Sequence, residues 1–319
     1  MMKQRIMLVG EPMGLFIAQE EGPLEDVQTF SSAVAGAEFN VAVGLSRLGL
    51  DVSYLTKLGK DPFGSRIVKT MEQNNIDTSL ITYSEDHATG FMLKGKTSHG
   101  DPQVHYFRKN SAASSICKKD IDKIDFSGCG ILHMTGILPP LSQTTMEAAA
   151  YLMHKAREAG LTVFFDPNLR PRLWPDKKTM VETLNGLAAQ SDYFLPGYNE
   201  GDVLIGTSDP QKIAEYYLDL GVRAVIVKIG KKGAYAATKQ GEFHSPTFHA
   251  EKMVDTVGAG DGFAAGVISA LAEGLSLEDA VRRGNAIGTI QVMSVGDNEG
   301  LPTKEQLKKF MAETAQEDD

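Results

Sequence analysis

Short apolar runs alternate with stretches of helical periodicity along most of this chain, and few architectures accommodate that alternation. RIMLVG reads as a buried strand. AEFNVAVGLSRLG follows as a helix, with Phe39, Val43 and Leu48 as apolar positions and Gly49 as its stop signal. Strand VSYLTKLG comes next, then a helix from Pro62 to about Asn74. The alternation resumes as GILHMTG, MEAAAYLMHKAREAG, LTVFFDPN, MVETLNGLAAQ, DYFLPG and VRAVIVKIG. It closes on two long helices, about 258–273 and 276–292. Parallel strands need crossover connections of about this length, so the pattern predicts an α/β sandwich around a mainly parallel sheet.

The 319 residues suit one large domain over 1–319, or a large domain with a small appendage. Lys and Arg number 32 against 41 Asp and Glu, a net charge of −9. That field repels nucleic acid and anionic membrane, and an anionic small molecule would need a local cluster of Arg or Lys. Cys117 and Cys129 have neither metal-ligand spacing nor a disulfide framework, as expected of reduced thiols in the cytoplasm. The opening MMKQRIMLVGEPMG is too short in its apolar part for a signal peptide, and no stretch reaches the roughly 18 to 20 apolar residues of a membrane span. A soluble, cytoplasmic protein is expected, with ETAQEDD as a solvated end.

Two segments break the βα pattern, GEPMGLFIAQEEG and TGFMLKGKTSHGDPQVHYFRKN. Both alternate or carry turn residues as antiparallel hairpins do, with SHGDP as a turn in the second. Together, over about 11–33 and 88–109, they predict a small β-sheet standing off the main body as a lid. An ordinary edge hairpin is the alternative.

The strongest chemical signal is DTVGAGDGFAAG, residues 255–266. Gly258 and Gly260 flank Ala259 just ahead of a small-residue helix, so backbone N–H groups there can approach a ligand closely. A helix N-terminus carries unsatisfied donors and partial positive charge, which suits phosphate oxygens. Asp261 is an odd choice in a pure anion site. It makes sense as a base that takes a proton from an attacking hydroxyl while the donors hold the transferring group. The plain alternative is an acidic residue at a helix start.

DTVGAGDGFAAG closely resembles the C-terminal signature of the ribokinase (PfkB) family of carbohydrate kinases. The run AGAEFNVAVGLSRLG, residues 35–49, resembles the family's N-terminal signature, with Ala35 where a glycine is usual and with Gly36 and Asn40 retained. The resemblance spans essentially the whole chain. It implies a ribokinase-like three-layer sandwich and an ATP- and Mg²⁺-dependent kinase without a P-loop, in keeping with the absence of a GxxxxGK[ST] run. It also implies a lid that covers the sugar and excludes water.

Residue by residue, the resemblance makes Asp261 the base and the amides of Gly258, Ala259 and Gly260 the anion hole. Asn199 and Asp202 fall near the family's Asn-x-x-Glu motif, with Asp202 acting on a metal through water and Glu200 as a possible substitute. An acid-rich helix start is the competing reading. Lys228, Gly230 and Gly233 in VKIGKKGAY would line the nucleotide, and Asn285 would flank its base. Surface lysine and backbone-capping asparagine are the alternatives for Lys228 and Asn285. Asp255 and Thr256 could belong to a site for a monovalent cation such as K⁺, as in some relatives.

At the sugar end, alternation along QVHYFRKN puts Val104, Tyr106 and Arg108 on one face. Arg170 follows the predicted strand LTVFFD, at the carboxyl end where ligands of open α/β sheets bind. The run from Tyr106 to Ser114, the DPNLRPRLW loop and the late GDNEG containing Asp297 together look most like the 2-keto-3-deoxygluconate kinases of the family. That resemblance implies Arg108 and Arg170 on a sugar acid, Asp297 on its hydroxyls, and Gly36 and Asn40 completing the pocket. Met92 stands where a substrate-facing Tyr is frequent. A fructokinase or other neutral-sugar kinase, and a non-catalytic sugar-binding regulator, are the rival readings. The exposed edge of a lid sheet suits pairing with a second copy, hence a homodimer through the lid.

Overall fold

The computed structural model describes residues 5–97, 102–254, 256–294 and 296–317. Its strands are β1 (Arg5–Val9), β2 (Met13–Glu21), β3 (Phe30–Ala35), β4 (Val52–Gly59), β5 (Ile81–Ser84), β6 (Phe91–Lys96), β7 (Val104–Phe107), β8 (Cys129–Thr135), β9 (Thr162–Asp166), β10 (Tyr193–Phe194), β11 (Ala224–Lys228), β12 (Ala234–Thr238) and β13 (Gly241–Ser245). The helices are α1 (Ala37–Arg47), α2 (Pro62–Gln73), α3 (Lys118–Ile121), α4 (Gln143–Glu158), α5 (Lys177–Ala188), α6 (Tyr198–Ile205), α7 (Pro210–Asp219), α8 (Ala259–Ala272), α9 (Leu277–Val292) and α10 (Lys304–Glu313).

Nine strands form one sheet in the order β13-β12-β11-β10-β9-β8-β1-β4-β5. From β11 to β5 every neighbouring pair is parallel, and β12 and β13 extend the edge antiparallel. Burial on both faces explains why strands such as RIMLV are apolar throughout instead of alternating. In β1, Ile6 and Leu8 join a core with α1, α2, α8, α9 and α10, while Met7 and Val9 join a second core with α4, α5, α6 and α7. The sheet is therefore the middle of three layers. The small residues of α8 serve its packing on α9, since a Cβ on Gly266 would lie 2.7 Å from the Gly284 Cα.

The two segments that break the alternation form a separate four-stranded sheet, β3-β2-β6-β7. Each segment contributes an antiparallel pair as expected, and the two pairs are joined by parallel pairing of β2 with β6. The first segment runs on to Ala35, so β3 leads through Gly36 directly into α1. Met13, Leu15 and Met92 pack together on the inner face. Phe91 stacks on Phe107 at 4.6 Å and on Phe63 at 5.4 Å on the other side. The SHGDP turn lies largely outside the described residues. Among the described residues no helix is long and apolar enough to cross a membrane.

Candidate active site

Two cavities meet where α8 begins. One, of about 540 Å³, lies between the inner face of the lid and the carboxyl ends of the central strands. The other, of about 960 Å³, lies between the β11–β12 turn, the segment after β13, and helices α8 and α9. Lys228, Thr256 and Gly260 line both, and Asp261 lines the first.

Backbone geometry explains the glycines at this junction. Gly258 caps α8 with φ 77°, and a Cβ there would lie 2.3 Å from the carbonyl oxygen of Asp297. An L side chain is thus doubly disfavoured at Gly258. Around Gly260 the nearest atom to a Cβ position is Lys228 Nζ at 3.8 Å, so the backbone stays open to the cavity. In the first turn of α8 the Ala259 N–H donates to the Thr256 carbonyl at 3.4 Å, and the amides of Gly260 and Asp261 are the ones placed to meet an anion.

Asp261 is half-buried in the first turn of α8 and accepts a hydrogen bond from Asn40 Nδ2 at 2.8 Å. Burial, reinforced by the charges of Asp166 and Glu38, lifts its pKa to about 7, while the Asn40 hydrogen bond and Arg170 pull the other way. Asn40 is itself oriented, because Asn298 Nδ2 donates to its Oδ1 at 3.0 Å and to the Val34 carbonyl at 3.0 Å. Asn298 was not singled out in the sequence. Its role depends on a chain reversal that brings residue 298 against residue 40.

Lys228 Nζ sits 2.5 Å from Asp166 Oδ2. Burial works against its charge, but Asp166 and Glu200 outweigh that and raise its pKa. Glu200 lines the first cavity and accepts from the Leu169 and Gly197 amides at 2.8 and 2.6 Å. Burial, with the Asp166 charge, raises the pKa of Glu200 against the pull of Lys228. This corrects one expectation. Asn199 and Asp202 are exposed and line neither cavity. Two residues along a helix is about 200° of rotation, so Glu200 facing the site turns Asp202 away from it.

Gly36, Asn40, Tyr106, Arg108, Arg170 and Asp297 all line the first cavity, with Met92 and Val104 beside them. Gly36 adopts φ 144°, and a Cβ there would press on the Glu11 carbonyl at 2.9 Å. Arg108 is anchored by a partner the sequence does not reveal. Its guanidinium Nε donates to Glu11 Oε2 at 2.6 Å and its Nη2 pairs with the same carboxylate, which also accepts from Ser111. Nε and Nη2 of Arg108 are thus engaged by Glu11, while the guanidinium stays part of the cavity lining. Asp297 Oδ1 lies 3.4 Å from Lys94 Nζ, a lid residue that the sequence reading passed over. Alternation from Met92 was the signal that could have found it.

Gly230, Gly233 and Asn285 line the second cavity with Pro246, Phe248, Met253, Phe263 and Val292, a mostly apolar wall. At Gly233, with φ 89°, a Cβ would lie 2.2 Å from the Ser245 carbonyl oxygen. The Asn285 amide donates to Ser245 and Pro246 carbonyls at 2.9 and 3.1 Å, so its donors hold the cavity wall and are not left for a base. Asp255 lies outside the described residues. No three His, Cys, Asp or Glu side chains among the described residues are placed to hold a metal ion.

The sequence profile of the pfkB family of carbohydrate kinases matches residues 3–304. The chain is 47% identical over 312 residues to the 2-dehydro-3-deoxygluconokinase of Bacillus subtilis (strain 168), covering 98% of this chain and 96% of that protein. It is 31% identical over 296 residues to the 5-dehydro-2-deoxygluconokinase of Geobacillus thermodenitrificans (strain NG80-2), covering 91% and 87%. A crystal structure of a PfkB protein from Polaromonas sp. JS666 superposes with a TM-score of 0.88 at 42% identity, covering 96% of this chain and 99% of that one. With nearly its whole length matched, in sequence and in fold alike, the chain belongs to the pfkB family of carbohydrate kinases.

Proposed function

We propose that the protein transfers the γ-phosphoryl group of ATP to the 6-hydroxyl of 2-keto-3-deoxygluconate, with Asp261 as general base. The observation that carries this reading is the position of Asp261, where a cavity under the lid meets a larger, apolar-walled one. Nearly full-length identity of 47% to a 2-dehydro-3-deoxygluconokinase supports the choice of sugar acid.

The nucleotide occupies the larger cavity, its base against the Phe248, Met253 and Val292 side and its triphosphate directed at Lys228 and Gly260. Magnesium enters with ATP as part of the substrate. The described residues form no metal-binding set of their own. The sugar acid lies under the lid, with Asp297 on its hydroxyls and Gly36 and Tyr106 closing around it. Asp261 accepts the hydroxyl proton as the new P–O bond forms, and the first-turn amides of α8 meet the charge on the phosphoryl oxygens. Asn40 fixes the Asp261 carboxylate toward the sugar, and the lid excludes water as a competing acceptor.

The protein acts as one ribokinase-like domain with a lid from the 11–33 and 88–109 segments. It is a cytoplasmic enzyme, in keeping with two unpaired cysteines. A homodimer through the lid is supported by Phe107, 51% exposed on the outer lid face.

Coupled ADP release with MgATP tests the substrate. Presented at equal concentration, 2-keto-3-deoxygluconate is expected to exceed fructose and 5-dehydro-2-deoxygluconate by at least about 10²-fold in kcat/KM, the discrimination a site built around polar substrate groups achieves. Preference for fructose would contradict the sugar-acid reading, and preference for the 5-keto isomer would contradict the position of the keto group.

A further inference from the structure

We propose that Glu11 is a positioning residue for the sugar acid, holding the Arg108 guanidinium so that its free edge receives the substrate carboxylate. The inference rests on the sugar-acid reading above and names the buried group that sets the affinity for the acid. Glu11 lies in the link from β1, in the body, to β2, in the lid, and is 2% exposed. Arg108 and Ser111 lie just beyond β7, where the chain leaves the lid. Both donate to the Glu11 carboxylate. Arg108 Nε reaches Oε2 at 2.6 Å, Nη2 pairs with the same oxygen, and the Ser111 hydroxyl takes Oε1. Gly90 backs the carboxylate closely, since a Cβ there would lie 2.8 Å from Glu11 Oε1. Entry to the lid and exit from it are thus tied together at the rim of the cavity.

A guanidinium carries its N–H groups in a planar fork, and Glu11 occupies only the side formed by Nε and Nη2. The other edge, Nη1 with the outer N–H of Nη2, has no hydrogen-bond acceptor among the described residues, and Arg108 lines the cavity under the lid. Such an edge matches the two oxygens of a carboxylate. Stability gives little reason for the arrangement, because a buried ion pair is on average no better than apolar residues of the same volume. Binding does give one. An arginine already held on one side loses little further freedom when the other side takes an anion. Arg170 lines the same cavity without a comparable anchor, its Nη1 donating to the Leu169 carbonyl at 2.9 Å. In a six-carbon 2-keto acid the carboxylate is at C1 and the reacting hydroxyl at C6, so the Glu11–Arg108 pair acts on binding and not on the chemical step.

Two substitutions separate geometry from charge. Glu11→Asp keeps the charge but draws it back from Arg108 by one methylene. Glu11→Gln removes the charge but keeps an oxygen for Arg108, with its amide turned to the Ser111 hydroxyl. Glu11→Asp is expected to raise KM for 2-keto-3-deoxygluconate by roughly 10- to 100-fold, the range for losing a hydrogen bond to a charged group, and Glu11→Gln by no more than about threefold. In both, kcat and the KM for MgATP should be largely preserved, as when uniform binding is lost. If Glu11→Asp does not fold, Ser111→Ala, which releases one Glu11 oxygen, should raise the same KM by roughly 2- to 10-fold. The reverse pattern, with Glu11→Gln altering KM and Glu11→Asp silent, would mean that Glu11 merely offsets the charge of Arg108. That pattern, or a wild-type KM in every variant, overturns the role of Glu11 alone. A wild type that phosphorylates 3-deoxyfructose, in which a hydroxymethyl group replaces the carboxylate, as well as it does the acid overturns the sugar-acid reading and the role of Glu11 with it.

Discussion

Asp261→Asn is expected to lose turnover and gain stability at the same time. Loss of a general base costs roughly 10²- to 10⁴-fold in rate, and Asn still accepts the Asn40 amide through its own carbonyl, so sugar and nucleotide binding should remain near wild type. The stability effect follows from the raised pKa. Asp261 titrates at about 7 in the fold, against 3.8 for an ordinary Asp. The fold thus favours the protonated carboxyl, and that contribution is complete below about pH 4 and lost as pH rises to about 7. At pH 8 the ionised carboxylate costs on the order of a few kcal/mol, discounted for its partial exposure. Thermal unfolding should therefore show Asp261→Asn melting above wild type at pH 8 and level with it near pH 4. A variant inactive and destabilised at both pH values would point to a structural role instead.

Lys228→Met should be the most destabilising single change at the site. Lys228 and Asp166 have side chains only 20% and 3% exposed, and Glu200 shares the same lysine. Removing the cation from such a pair costs about 3–5 kcal/mol, because the carboxylate left behind is uncompensated. Activity should fall as well, by roughly 10²- to 10³-fold, since Lys228 is the cation at the junction of the two cavities. Adding Asp166→Asn separates the two roles. The double variant should recover most of the melting temperature while turnover remains low. Recovery of turnover together with stability would mean that Lys228 serves only to neutralise Asp166.

The residues that sequence reading located best are those whose role is set by the backbone around them. Gly258, Gly260 and Asp261 are fixed by a helix start, Gly36 by the strand-to-helix turn, and the sheet by its runs of apolar strands. Less legible were side chains whose duty depends on a distant partner. Arg108 looked available because nothing nearby claims it, yet Glu11, 97 residues away, takes it. Asn285 looked like a base contact, and its donors go to the chain 39 and 40 residues earlier. Asp202 and Glu200 differ by helix phase, which a loop-to-helix boundary placed to within a residue or two leaves open. Lys94 and Asp297, 203 residues apart, meet only because the lid folds over the end of the sheet. Strands β5 and β13, at the two edges of the sheet where alternation is weakest, and the Ala-rich β12 also went unassigned.

The pH dependence of kcat/KM for 2-keto-3-deoxygluconate, measured at saturating MgATP from pH 5 to 9, tests the central claim most directly. If Asp261 is the proton acceptor, only its ionised form reacts. The rate constant should then rise tenfold per pH unit up to an inflection near 7, level off above it, and lose that inflection in Asp261→Asn. A wild-type profile flat from pH 5 to 9 would mean that no group titrating near 7 takes the proton, and would contradict the role given to Asp261.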